Sequence, residues 1–466
     1  MNNFLFSRAL GSVSHQSLAK AQTDRLVHSL HSDDTVKLTH KFSGHGEARR
    51  DEDDEDDLTR RDVAHPSGVN SITIDKFEGR YLLSGGADSS IAVWDLESAE
   101  HDEHRGSIIR PLGHVAKNDK SHGYGVTHLS FYPFDSLAFL SSSYDHSLRL
   151  YSSETLECSA SFDLASVVYS HALSPVAPHL LVACATQHPA VRLVDLKSGA
   201  STHSLAGHGG AVMSVDWHPK SEHILVSGAS DGSVRVWDIR RSASSLGVLN
   251  MDDSTGIIGF SSMGVDYRKR ERGRAHNALV NGVLWSETGD FIVSNGHDET
   301  VRVWDASTGA NTLVNFGPSL KNAHSSTLLP QITPSALTGK GRELVIYPNP
   351  RELLVFELHT GKLLSRLRTP SYAASHISVS AGLGTRNVQN RTTSLAWRAH
   401  DVELYSAHTD GTIRCWRPRT WEDDIADREM DDEDDEDDVA VNERKRKREE
   451  LDDIVAGLTG KKITWT

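Results

Sequence analysis

The feature that most restricts this chain is an aspartate set six positions before an aromatic residue, repeated along the sequence. Its clearest form is Ser230-Asp231-Gly232-Ser233-Val234-Arg235-Val236-Trp237-Asp238: a polar turn, an alternating run suited to a strand, then Trp-Asp. Asp88 stands in the same frame with Trp94, Asp145 with Tyr151, Asp298 with Trp304 and Asp410 with Trp416. Weaker copies end at Val194-Asp195 and Phe356-Glu357. Successive aromatic-equivalent positions lie 43 to 67 residues apart. A unit of roughly 40–45 residues cannot bury both faces of its own small sheet, so such units stack. Seven of them predict an all-β fold, a seven-bladed β-propeller.

Seven blades need roughly 300 residues. The chain has 466, so extra segments are expected, and the charge shows where they lie. Residues 51–57 carry seven of the negative charges and residues 422–438 a net twelve. The remainder of a chain with formal charge −15 therefore sums to +4, and Arg444, Lys445, Arg446, Lys447 and Arg448 alone carry five positive charges, leaving the body nearly neutral. A nearly neutral body does not suit direct nucleic-acid binding, which needs clustered cations over a wide face. No apolar run approaches about 18 residues, so no membrane span is expected. The start, Met1 to Arg8, lacks the basic and long apolar parts of a secretory signal. Cys158, Cys184 and Cys415 have no metal-ligand spacing and read as strand residues of a reducing compartment.

These shifts divide the chain into a helical docking segment 1–34, a propeller over 35–420 and a tail 421–466 whose acidic and basic runs are expected to be disordered. The propeller carries an acidic loop 43–62 and insertions at 242–274 and 369–391. In the first segment Leu18, Gln22, Leu26 and Leu30 recur every four residues, an amphipathic helix preceded by the apolar cluster Phe4-Leu5-Phe6. Its stripe either packs on the chain's own propeller or docks into a partner groove. Thr35 to Thr39 alternates, and Val36 and Leu38 are assigned to a strand that closes the ring beside the one ending at Trp416, because an open ring leaves unpaired edges. The basic cluster 444–448, after an acidic run, reads as a nuclear-import address.

The repeated histidines and aspartates do not call for catalysis. The repeat resembles the WD-repeat family, in which the turn aspartate, a loop histidine and the Trp indole form a structural hydrogen-bond network. His208, Asp231 and Trp237 match it, as do His276, Asp298 and Trp304. The hydroxyl is sought two residues before the aspartate, where Ser143 supplies it but Gly86, Ala229 and Gly296 do not, so the networks are expected to be incomplete. No phosphate loop, nucleophile elbow or paired-Cys site is found, and no cofactor or metal is expected. Asp238-Ile239-Arg240 is sharper: an arginine two after the Trp-Asp aspartate leaves the strand at one rim, where its fork suits a partner carboxylate or carbonyl.

The chain further resembles the Cockayne syndrome group A family. The residues that carry this are Arg80 to Gly86, Val168-Tyr169-Ser170-His171, Asp195 to Gly199, Trp237 to Arg241 and Asn311 to Gly317, with Phe4-Leu5 and the helix Leu18 to Leu30 before them. The resemblance covers about residues 4–420 and leaves out the acidic loop, the 242–274 insertion and the tail. It implies a nuclear, non-catalytic substrate receptor of a cullin 4 RING ubiquitin ligase in transcription-coupled nucleotide excision repair. Phe4, Leu5, Leu18, Leu26, Leu30, Asp238 and Arg240 would face the damage-binding adaptor, which brings cullin 4 and the RING subunit. The opposite face would meet the repair ATPase and stalled RNA polymerase II. The alternative is a nuclear WD-repeat scaffold in chromatin or RNA processing, without a ligase.

Overall fold

Alternation at every second residue gives each strand one inward face, and antiparallel strands in succession make a blade. The computed structural model describes residues 6, 10–11, 15–40, 63–102, 106–115, 121–176, 178–199, 201–241, 245–254, 273–339, 341–368, 376–381 and 384–419. Seven such blades form the propeller. Blade one is Val69–Ile74, Tyr81–Gly86, Ile91–Asp95 and Pro111–Val115. Blade two is Val126–Phe131, Ala138–Ser143, Ser147–Ser152 and Cys158–Asp163. Blade three is Val168–Leu173, Leu181–Thr186, Ala190–Asp195 and Ser201–Ala206. Blade four is Val212–Trp217, Ile224–Ala229, Val234–Asp238 and Ser245–Leu249.

Blade five has three strands among the described residues, Val280–Trp285, Phe291–Gly296 and Val301–Asp305. Blade six is Gln331–Ile332, Leu344–Pro348, Leu353–Glu357 and Leu363–Leu367. Blade seven is Thr392–Arg398, Glu403–His408 and Ile413–Pro418, joined by Leu30–Asp33 from the start of the chain.

The core lies between blades. Ala183, Val191 and Leu193 of blade three pack with Val212, Trp217, Leu225 and Trp237 of blade four. Trp94, Trp237, Trp304 and Trp416 are each fully enclosed. The tight turn after each aspartate repeats one backbone shape: Ser89, His146, Gly232, Glu299 and Gly411 all take positive φ. At Gly232 glycine is needed twice over, since a Cβ would also lie 2.5 Å from the carbonyl oxygen of His276.

Ring closure corrects one expectation. Leu30–Asp33, not Val36 and Leu38, lies beside the strand that contains Trp416. Asp33 forms an ion pair with Arg417 at 3.0 Å. Val36–Leu38 pairs in parallel with Gly106–Ile109 instead. Both stretches are strands, but Leu30-His31-Ser32-Asp33 has one apolar residue and hence no alternation to read. The propeller thus begins inside the segment set apart as 1–34.

The insertions are also smaller than expected. Ser245–Leu249 pairs with Val234 to Trp237 and is the outer strand of blade four. His376–Ala381 and Gly384–Gln389 form a hairpin within 369–391. The polar stretch after blade one supplies that blade's fourth strand, Pro111–Val115. The acidic loop 43–62 and the tail 421–466 lie outside the described residues. No helix among the described residues is long and apolar enough to cross a membrane.

Candidate functional site

In a four-strand meander the loops alternate between two rims, and each rim of this propeller has its own chemistry. On one rim sit the aspartate turns. In blade four the Trp237 indole donates to Ser227 Oγ at 2.7 Å. Ser227 Oγ also meets His208 Nε2 at 2.7 Å, and His208 Nδ1 meets Ser233 Oγ at 2.9 Å. Ser233 donates to Asp231 at 2.6 Å. In blade five His276 reaches Asp298 directly at 2.9 Å and Ser294 at 2.8 Å, with the Trp304 indole on the same serine. Blade one repeats the relay with His65, Ser84, Ser90, Asp88 and Trp94. In blade two His122 bridges Asp145 and Ser141, but Tyr151 replaces Trp and stacks on Phe139.

The networks of blades one, four and five are therefore complete, which corrects the expectation of missing hydroxyls there, whereas in blade two the buried Tyr151 hydroxyl has no partner among the described residues. The hydroxyl stands four residues before the aspartate, not two: Ser84, Ser141, Ser227, Ser294 and Ser406. Both positions share one face of the strand, so periodicity alone does not separate them. The glycines at the nearer position do. A Cβ at Gly296 would lie 2.7 Å from His276 Nδ1, so the space belongs to the imidazole. Blade seven departs from the scheme, because its histidine, His408, sits on the strand at that nearer position and bonds Ser406 at 2.9 Å. Trp416 donates to the same serine, and Asn390 of the entering loop donates to Asp410.

Burial acts to raise the Asp231 carboxyl pKa, yet the neighbouring His208 ring and hydrogen bonds from Ser233 and the Gly209 amide outweigh it and hold it well below the ordinary range. Asp145 and Asp298 behave alike. The paired histidines are lowered as well, which for them favours the neutral form: burial lowers His208 and His276 despite the adjacent carboxylates. A neutral imidazole clamped between a serine and an anion suits a strut. No cluster of three or more potential metal ligands exists among the described residues.

The other rim carries the arginine box. Arg240 folds back on Asp238, with Nε and Nη2 at 3.0 and 2.7 Å from the two carboxylate oxygens. Asp238 is buried, while the Arg240 side chain is 64% exposed. The pair is worth little to stability at this exposure, but it fixes where the guanidinium stands. Arg80 grips Asp95 in the same fork from the far side of the blade-one strand pair. Sequence reading missed that second fork, since Arg80 comes before its Trp-Asp rather than after.

The helix spans His15–His28 and sits on this same rim. Lys20 donates to the Ser335 carbonyl, Thr23 to the Leu337 carbonyl, and Asp24 pairs with Arg342. All three partners lie in the turn between the first two strands of blade six. Val27 and Leu30 enter the core cluster with Leu337, Leu404 and Trp416. The periodic stripe is thus split. Leu30 is not free to meet a partner, whereas Leu26 is 39% exposed and faces outward with Gln22. Phe6 and Leu10, ahead of the helix, are exposed. The side chain of Leu18, and Phe4, Leu5 and the basic cluster 444–448, lie outside the described residues.

The WD domain, G-beta repeat family matches residues 58–95, 113–152, 199–238 and 269–305. The chain is similar to "WD repeat-containing protein ATCSA-1" of Arabidopsis thaliana, 30% identical over 425 residues, covering 78% of this chain and 89% of that one. It is also similar to "Ribosome biogenesis protein ytm1" of Neurospora crassa, 28% identical over 276 residues, covering 51% of this chain and 54% of that one. The same protein of Aspergillus niger is 29% identical over 269 residues. The chain spans about half the length of these ribosome biogenesis relatives, 54% and 52%.

Proposed function

Because this chain belongs to the WD-repeat family, we propose that it acts by positioning other proteins, as the substrate receptor of a cullin 4 RING ubiquitin ligase in transcription-coupled nucleotide excision repair. The observation that carries the reading is one rim bearing two docking features together: the exposed, pre-aimed guanidinium of Arg240 and the clamped helix with Leu26 outward. The name ATCSA-1 shares its initials with the Cockayne syndrome group A family and supports the same reading. On this reading the damage-binding adaptor takes that rim and brings cullin 4 and the RING subunit. The opposite rim faces the repair ATPase and stalled RNA polymerase II in the nucleus. The chain does no chemistry. It raises the effective concentration of substrate near the ligase.

The second reading is a scaffold in RNA processing, favoured by the similarity to the ribosome biogenesis proteins over half the chain. Affinity capture from nuclear extract separates the two, comparing wild type with Leu26→Asp and Arg240→Ala combined. Both side chains are exposed, so the variant should fold with an unchanged Tm. The receptor reading requires that wild type recovers the adaptor and cullin 4 and that the variant loses them by about tenfold or more, the scale of a lost interface anchor. Recovery of pre-ribosomal proteins without adaptor would establish the scaffold instead.

A further inference from the structure

The rim of the aspartate turns holds a cation that the fold does not use. Arg391 immediately precedes the innermost strand of blade seven, so it stands at the mouth of the central channel. Its backbone is fixed there by two hydrogen bonds with Thr409, each at 3.0 Å. Its guanidinium is half-buried and makes one hydrogen bond, Nη1 to Ser326 Oγ at 3.0 Å. A guanidinium has five N–H donors. Among the described residues no carboxylate pairs with it.

The surroundings add no compensation. Residues 369–390, which lead into Arg391, contain neither Asp nor Glu. Its cavity of about 10 Å³ is shared with Lys321, His324 and Ser326, two of them basic. The carboxylates of this rim are engaged elsewhere: Asp410 with Thr412, Asn390 and Arg414, Glu299 with Lys321, and Asp298 with His276 and Arg302. Burial pushes the Arg391 pKa down, against a smaller pull from the Tyr144 phenol. Tyr144 and Tyr124 stand on the same rim and are exposed by 42% and 67%. Holding a half-buried guanidinium that has no carboxylate partner among the described residues costs free energy, and a fold that needed only packing here would not require it.

We propose that this channel mouth is a binding site for an acidic peptide segment of a partner, with one carboxylate seated on Arg391 beside Tyr144. A single focused cation in a nearly neutral body fits a carboxylate better than a phosphate backbone, which needs a track of cations. The site lies on the rim opposite Arg240 and does not depend on adaptor docking.

The test is fluorescence anisotropy of a short labelled Asp/Glu peptide with the full chain, wild type against Arg391→Gln, alongside thermal unfolding of both. Binding should weaken by about tenfold in the variant, while Tm stays level or rises because an uncompensated charge is removed. Arg240→Ala should bind the peptide like wild type. A lower Tm with unchanged peptide binding would make Arg391 structural and overturn the site. Failure of wild type to bind the peptide, or tighter binding of a single-stranded RNA probe with the same dependence on Arg391, would overturn it too.

Discussion

Ser227 shows how a small residue holds a blade together. Its oxygen accepts the Trp237 N–H, so its own hydrogen is directed to His208 Nε2. That assignment leaves the proton on Nδ1, donated to Ser233, which in turn donates to Asp231. Burial, which lowers the His208 pKa, favours the neutral imidazole that this relay uses. Replacing Ser227 by alanine strands a buried indole N–H and a buried imidazole nitrogen together, so a loss of about 2–4 kcal/mol is expected. Urea unfolding of Ser227→Ala checks it, and a loss below about 1 kcal/mol would mean that water rescues the gap. The aspartate, the tryptophan and their spacing were legible in the sequence because they recur. The serine column was equally regular, and was overlooked because two positions on one strand face compete for the same role. His408 was not legible at all: it reaches the serine from a different backbone position, and only coordinates reveal that two placements deliver one ring.

At the scale of elements, the first forty residues hold the chief difference between pattern and structure. The recurrence every four residues predicted a helix, which runs His15–His28 rather than Leu18 to Leu30, and could not say which of its faces would be covered. The answer depends on polar contacts to the blade-six turn, namely Lys20, Thr23 and Asp24, which no apolar periodicity encodes. The closing strand was misplaced for a related reason. Asp33 is held there by Arg417, and Arg417 also bonds Glu403, so charge rather than alternation sets the register. Deleting residues 1–34 removes Val27 and Leu30 from their cluster, at about 1.5–3 kcal/mol each, and exposes the edge of blade seven. A clear fall in Tm and faster proteolytic cleavage within blade seven are expected. A truncated chain as stable as the full one would show that the helix and first strand merely decorate the ring.

For the molecule as a whole, stability should depend on pH through histidines that the fold keeps neutral. Burial lowers His128 to about 4, with a weaker opposing hydrogen bond toward His171, and lowers His65 to about 4 and His408 to about 3. These groups bind protons in the unfolded chain first, from pH about 6.5 downward, so the unfolded state gains as pH falls from there toward 4. A single group such as His128 then contributes a loss on the order of 2 kcal/mol at pH 5. The turn aspartates, whose folded values lie below the ordinary range, add their own loss only under more acid conditions. Tm is expected to drop between pH 7 and pH 5, and His128→Asn should flatten that slope. A Tm constant over the interval would mean that the buried rings take up protons in place.

Ring closure also has a consequence for how the chain is made. Asp33 meets Arg417 across 384 residues of sequence. At about 5–20 residues per second, a ribosome takes roughly 20–80 s to supply the second after the first. Through that interval six blades accumulate while the opening strand has nothing to pair with. Maturation is therefore gated by the end of translation, and a nascent chain stalled before its last blade should present its opening strand, Leu30–Asp33, to whatever chaperone waits at the tunnel.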